Sequence, residues 1–310
     1  MGQIYERAHE YNNAFIAYRN AYEAYTDDYV KLGAHAPNQL KLDLLKTAYL
    51  SGLYSEVSRY EQEFKIKYNP EKSEFGEVII YWENGQAPYK VEKNYMFALV
   101  GGGGGGFYFV DEDQTMQIPF VGNLSSANSL TNLSAIRIAM PKYHLNPNYY
   151  LNNNATIKVN KIESHKQLEL VENIDQVAEK TLKDRFMKDL GTHLTKLAIN
   201  KLAQQALKSD STTEALGMIL EGIGFISERA DTRNWQSLPS MINYTRVPLT
   251  KTDTNIIELT ITNHFNKKET IKLPIVSKGN QLQIHNVFTP GKMPQDYKIR
   301  GQLIDSLNLN

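Results

Sequence analysis

Asn13-Ala-Phe-Ile-Ala-Tyr-Arg-Asn-Ala-Tyr-Glu-Ala-Tyr25 is the stretch whose reading sets the architecture. Ala14, Tyr18 and Ala21 recur at three- and four-residue steps, which places them on one face of an α-helix. Small residues at 14 and 21 permit close approach of a second helix, and the Tyr18 ring fills the groove between them. Upstream, Gly2 and Tyr5 fall on a first helix, and His9-Glu10-Tyr11 makes the turn between the two. Tyr11 and Tyr18, seven residues apart, are expected to be buried.

The set Gly2, Tyr5, Tyr11, Ala14, Tyr18 and Ala21 resembles the second half of a tetratricopeptide (TPR) unit, with the start of its first helix missing. A looser second pair follows. Leu40, Leu44, Leu45 and Ala48 line one helix, Gly52 and Tyr54 mark a turn, and Val57, Tyr60, Glu61 and Phe64 belong to the next. Residues 1–70 are therefore expected to form a TPR-like helical repeat domain, truncated at its start.

From Phe75 the pattern changes to short β-rich runs: 77–81, 95–100, 107–110, 134–139 closed by Pro141, and 155–159, with an Asn-crowded loop at 146–154. A continuous apolar stripe from Ile174 to about Lys208 predicts a long helix. Glu214 to Ala230, with Gly217 and Gly224 seven apart, predicts its hairpin partner, so that 172–230 is a helical hairpin inside a mixed domain spanning 75–240. Four further strands, 244–249, 255–262, 269–274 and 281–288, predict a small antiparallel β domain over 241–297. The expected fold class is thus α+β: N-terminal TPR-like repeats, a mixed middle region with a long helical hairpin, and a C-terminal antiparallel β domain.

The 34 basic and 34 acidic residues balance with no run of one sign, which leaves no footprint for a nucleic-acid backbone or an anionic membrane. With no Cys, a disulfide framework, a thiolate metal site and a Cys nucleophile are excluded. The seven His show no metal-ligand spacing. No cofactor is expected. The six glycines at 101–106 are followed by Phe107-Tyr-Phe-Val110 in place of the Lys and Ser or Thr of a phosphate loop, so a hairpin connection is expected there. Asp111-Glu-Asp113 reads as a solvated turn.

Four segments carry a wider resemblance: Asn13 to Tyr25, Glu83-Asn-Gly-Gln-Ala-Pro-Tyr-Lys90, Ile138-Ala-Met-Pro-Lys-Tyr143, and Asp231-Thr-Arg-Asn-Trp-Gln-Ser-Leu-Pro239. Together they make the chain similar to a largely uncharacterised bacterial family of TPR-containing, lipoprotein-like cell-envelope proteins. The resemblance implies a periplasmic or outer-membrane location with peripheral attachment through an N-terminal lipid anchor. Neither an export signal nor a lipid-bearing Cys precedes the repeat in this sequence, so the expectation is an upstream segment that supplies them, or a cytoplasmic protein if Met1 is the native start.

Within the last segment Asp231, Arg233, Trp235 and Pro239 form the expected structural motif. Asp231 caps or pairs locally, and Trp235 locks the helix exit against the strands that follow; as a buried ring its loss should cost about 3–5 kcal/mol. The density of Tyr in residues 1–68 singles out Tyr22, Tyr25 and Tyr29 as protein-binding candidates, because large rings lose little side-chain freedom on binding. Tyr22 and Tyr25 either reach solvent or pack against residues 38–50. The expected function is a non-catalytic envelope scaffold that binds another envelope protein. The alternative is a small-ligand-binding protein, or an enzyme, with its site between helices and sheets.

Overall fold

The computed structural model describes residues 1–70, 75–101, 107–120, 136–147, 150–160, 166–208, 229–235, 237–290 and 298–299. They form two compact units, one of Met1–Pro88, Leu145–Val177 and Gln236–Asn310, the other of Tyr89–His144 and Ala178–Trp235. Each unit draws on segments far apart in the chain, whereas the sequence reading runs 1–70, 75–240 and 241–297 in order.

The first unit is organised around strand β1 (Glu77–Asn84), whose residues alternate between two apolar faces. β1 pairs antiparallel with β9 (Met241–Pro248) on one side and parallel with β12 (Leu282–Thr289) on the other. With β8 (Glu169–Asn173) and β13 (Lys298–Ile299) they make a sheet of order β13-β12-β1-β9-β8. A second sheet, β11-β10-β6-β7, is built from β6 (Tyr150–Val159), β7 (Lys166–Gln167), β10 (Thr254–Asn263) and β11 (Lys268–Val276). Val78, Ile80 and Trp82 on one face of β1 join Ile157, Leu259, Ile261, Leu273 and Val287 in a single core. Trp82, fully buried, donates its indole N–H to Thr289 at 2.9 Å, which satisfies the polar atom that burial would leave unpaired.

The opposite face of β1, carrying Glu77, Ile79 and Tyr81, lies beneath a layer of helices. These are α1 (Gly2–Arg7), α2 (Tyr11–Asp27), a 3-10 turn (Tyr29–Leu32), α3 (Asn38–Leu50) and α4 (Tyr54–Phe64). Ala14, Phe15, Tyr18, Leu40, Leu44, Leu45, Ala48, Val57 and Tyr60 form the core inside that layer. Gly2 is required at its position, since a Cβ there would lie 2.7 Å from the Tyr18 ring.

The second unit pairs β2 (Tyr89–Gly101) with β3 (Phe107–Asp111) and β5 (Ile136–His144), and β3 with β4 (Gln117–Pro119), in the order β4-β3-β2-β5. Within it Phe97, Phe109, Ile118, Ile136, Ile138 and Met140 pack with Leu190 and Leu194 of the long helix α5 (Ile174–Lys208).

This architecture corrects the expected fold class. Strands outweigh helices among the described residues, and the N-terminal helices are short, of unequal length, and not clear TPR-like repeats. The physical reason is that the Ala14/Tyr18/Ala21 spacing reports a helix with a close neighbour, which a helical layer on a sheet satisfies as well as a solenoid does. The C-terminal strands form no antiparallel domain of their own: β9 and β12 flank β1, β12 in parallel, while β10 and β11 join β6. Strand spacing fixes where hairpins can form, and leaves partner choice to long-range packing. Pro141, expected to end a strand, lies within β5 at the sheet edge, where a missing N–H is tolerated. The second helix of the expected hairpin, with Gly217 and Gly224, and residues 102–106 of the glycine run lie outside the described residues.

Candidate ligand cavity above a buried charge cluster

Directly opposite Ile79, on the helix-facing side of its sheet, β9 places Arg246. Its guanidinium is only 5% exposed and meets two carboxylates from the helices above. Glu6 of α1 accepts from both Nη atoms, at 2.7 and 2.6 Å, in a bidentate fork. Asp43 of α3 lies 3.2 Å from Nε. Glu77 of β1 takes a further Nη1 contact at 3.1 Å. Lys46, one turn beyond Asp43, bridges Glu6 at 3.1 Å and also hydrogen-bonds Glu77. Lys166 closes the far side, donating to the Gln39 side chain at 2.7 Å and to the Arg246 carbonyl at 2.8 Å. Three carboxylates thus surround Arg246 and Lys46, with Lys166 at the outer edge of the cluster, tying α1, α3, β1 and β9 together.

The two carboxylates nearest Arg246 are not equivalent. Burial alone would raise Glu6, but the two Arg246 bonds, the Lys46 charge and the Tyr18 hydroxyl at 2.9 Å hold it down at about 2. Asp43 receives one side-chain hydrogen bond, from Gln39 at 2.8 Å, and its Oδ2 is buried without a partner. Its contact to Nε is an ion pair without hydrogen-bond geometry. Burial therefore dominates and pushes Asp43 up to about 6. Arg246 is driven the other way: burial opposes its charge, and the Asp43 and Glu6 carboxylates overcome that and keep it protonated.

A cavity of about 610 Å³ opens over the edge of this cluster. Glu6, Lys46 and Glu77 form its floor, and Tyr11, Tyr49 and Tyr68 line its walls with His9 and Leu50. Local backbone features place these groups. His9 terminates α1 at φ 62°, with the Glu10 N–H bonded to the Tyr5 carbonyl and the His9 N–H to the Glu6 carbonyl, the double bond of a Schellman cap. The short helix that results presents Glu6 inward. On the opposite rim Gly76, at φ 83°, brings the start of β1 against Asn280 to Leu282; a Cβ there would lie 2.6 Å from the Gln281 carbonyl. Tyr49 and Tyr68 meet with ring centroids 5.7 Å apart and planes tilted by 52°, forming an aromatic corner. A second cavity of about 370 Å³ lies against Tyr18, Tyr25, Tyr81 and Tyr244, and its lining residues carry no charged side chain.

The residues singled out by sequence take different places. Tyr22 donates to Glu63 at 2.8 Å and packs edge-on against Phe64 at 4.9 Å. Tyr25 donates to the Val171 carbonyl at 2.5 Å and its ring meets Tyr29 at 5.3 Å. All three rings are half-buried in contacts within the chain. Ala14 and Tyr18 are buried as expected, while Tyr5, Tyr11 and Ala21 are half-buried, Tyr11 bonding His9 through its hydroxyl at 2.9 Å. Asp231 and Arg233 form a local exposed pair, with contacts of 2.9 Å between side chains and 3.1 Å to the Arg233 N–H. Trp235 is 72% exposed, which overturns the expectation of a ring buried at a helix exit, and Pro239 is buried. An aromatic beside a charged pair signals nothing about burial by itself, because exposed surface is also largely apolar. Asp111 accepts from Thr115 at 2.6 Å and from the Met116 N–H at 2.7 Å, holding the β3–β4 turn.

Sequence reading missed the cluster because its members span residues 6 to 246. One signal was available: Asp43 lies on the apolar face of α3, between Leu40, Leu44 and Thr47, all four buried. A carboxylate on such a stripe calls for a buried cation. Among the described residues no three His, Cys, Asp or Glu side chains are grouped so as to hold a metal ion. Among the same residues no helix is long and apolar enough to cross a membrane. No family model, curated protein or solved structure matches the chain.

Proposed function

We propose that this protein is a small-ligand-binding protein, with its site in the cavity between the helical layer and the β1 sheet, and that it binds without catalysing. The observation that carries this reading is the cavity of about 610 Å³, walled by tyrosines and floored by charged groups fixed by Arg246. Cavities of this size, apolar-walled with a few placed polar groups, are the usual form of a small-molecule site. The groups on the floor suit positioning better than proton transfer. Glu6, held at about 2, has no proton to donate near neutral pH. A protein-binding platform through Tyr22, Tyr25 and Tyr29 draws less support, since those rings are engaged within the chain. The periplasmic or outer-membrane location implied by the family resemblance belongs to the same proposal, and fractionation of cells expressing the full gene tests it.

The test of binding is a thermal-shift screen against a library of small metabolites, run on the wild type and on Leu50→Trp. Leu50 lies on the cavity rim and is 43% exposed, so an indole there fills space without disturbing the core. Hits that raise the melting temperature of the wild type and lose their effect in Leu50→Trp support the reading. Hits that act equally on both proteins place the ligand elsewhere.

A further inference from the structure

We infer that the ligand of this cavity is a neutral, polyhydroxylated ring, a saccharide unit, an inference that rests on the ligand-binding reading above. Charge balance is the first part of the argument. Glu6 and Glu77 at the floor already contact Arg246 and Lys46, two carboxylates against two cations. A cationic ligand has to displace Lys46 from Glu77 or Glu6, and an anionic ligand has to compete with those same carboxylates for Lys46. Either one leaves a buried charge with its partner removed, which is the costly outcome for a desolvated ion pair. A neutral ligand meets no such penalty and still finds strong donors and acceptors on the floor.

The walls supply the second part. Tyr49 and Tyr68 form an open aromatic corner, Tyr49 being 36% exposed, and offer ring faces to the C–H face of a flat, saturated ring. The rim carries His9, Asn280 and Gln281, all exposed, which present both donors and acceptors. Hydroxyl groups, which both donate and accept, match a mixed rim of that kind, whereas a purely apolar ligand leaves it unpaired. An aromatic face, a ring of amide and imidazole groups and a charge-neutral polar floor together select a hydroxylated ring over a hydrocarbon or an ion.

Three trisaccharides of similar size and different charge test this by isothermal titration calorimetry on the intact chain: chitotriose (neutral), the glucosamine trimer (cationic) and trigalacturonate (anionic), with maltotriose as a second neutral probe and indole as a neutral fragment that is not a sugar. The chitotriose used as the neutral probe is its N,N′,N″-triacetylated form, and the expected result is binding of at least one neutral trisaccharide, at least tenfold weaker binding of both charged ones, and at least a tenfold loss for the bound sugar in Tyr49→Ala at an unchanged melting temperature. If Tyr49→Ala fails to fold, Leu50→Trp provides the same comparison. Indole or a charged trimer binding in a manner blocked by Leu50→Trp, while neither neutral sugar binds, overturns the saccharide class and leaves the cavity reading in place. Binding of none of the five probes, together with no Leu50→Trp-sensitive hit in the metabolite screen, overturns both.

Discussion

Glu6 with Arg246 and Asp231 with Arg233 are both arginine–carboxylate pairs with bidentate contacts, yet their surroundings differ in every respect that sets the worth of an ion pair. Arg233 and Asp231 are two residues apart, with side chains 91% and 58% exposed. Water screens them, and their separation in sequence means that they cross-link nothing. Arg246 and Glu6 are 240 residues apart, with side chains 5% and 4% exposed, and they join the first helix to a central strand. The Asp231–Arg233 segment draws attention in the sequence because a charged pair, a Trp and a Pro fall within nine residues. The buried pair has no such compact signature. What separates the regions is desolvation: a buried charge that loses its partner is left without water to replace it.

Removing Arg246 probes that difference with the largest expected effect. Arg246→Met keeps most of the side-chain volume and leaves Glu6, Asp43 and Glu77 facing Lys46 and Lys166 alone. A loss of about 3–5 kcal/mol in unfolding free energy, measured by chemical denaturation, is expected for a broken buried network. The double variant Glu6→Gln/Arg246→Met should lose clearly less than the sum of its two single variants, because each member's value depends on the other. Strict additivity would show that the two groups do not interact, and would reduce the contrast with the surface pair to one of position.

Protonation sharpens the comparison at the next level, because the cluster holds carboxylates displaced in opposite directions. Asp43 is raised from 3.8 to about 6, so its folded form binds a proton more readily than its unfolded form. Its contribution therefore stabilises as the pH falls from above 6 toward 4. The rise corresponds to about 3 kcal/mol, an order-of-magnitude figure. Glu6 is lowered from 4.5 to about 2, so its contribution is present above 4.5 and is lost as the pH falls below that toward 2. The two together predict a stability maximum near pH 4 to 5 for this part of the balance. Asp43→Asn, which keeps the Gln39 contact in reach and removes the titration, should flatten the limb between pH 4 and 6.5 and leave the acid limb unchanged. Unaltered pH dependence in that variant would assign the limb to other groups.

The same contrast explains how much was legible in the sequence. The apolar stripe of α5 and the alternating runs at β1, β3, β10 and β11 are local patterns, set by the period of each element, and they mark the elements themselves. The parallel pairing of β12 with β1 and the return of β6 into the sheet of β10 depend on contacts between residues about a hundred positions apart or more, which no local period encodes. The repeat reading failed for a related reason. Gly2, Ala14 and Tyr18 do pack closely, but the helical layer they belong to also sends Glu6 of α1 and Asp43 of α3 down to a strand near the other end of the chain. Of the candidate cavity, only Tyr11, Tyr49 and Tyr68 belonged to a pattern noticed in the sequence, the density of Tyr before residue 69. The charged floor was assembled by the topology, with Asp43 on its Leu stripe as the one local hint.

The smallest expected effect lies at the surface pair. Since Arg233 and Asp231 hydrogen-bond one another across a two-residue turn and stand mostly in water, Arg233→Ala should leave the unfolding midpoint within measurement scatter at physiological salt. Trp235→Ala is the more discriminating change, because a buried anchor and an exposed ring predict different sizes of effect. At 72% exposure the ring has little apolar area removed from water, and its loss should cost less than about 1 kcal/mol, against the 3–5 kcal/mol of a core aromatic. A large destabilisation by Trp235→Ala, with Arg246→Met nearly neutral, would invert the comparison and return structural weight to the Asp231–Pro239 segment. A small effect on stability alongside the large one at Arg246 would identify the helix-to-strand cluster as the element that fixes the first unit.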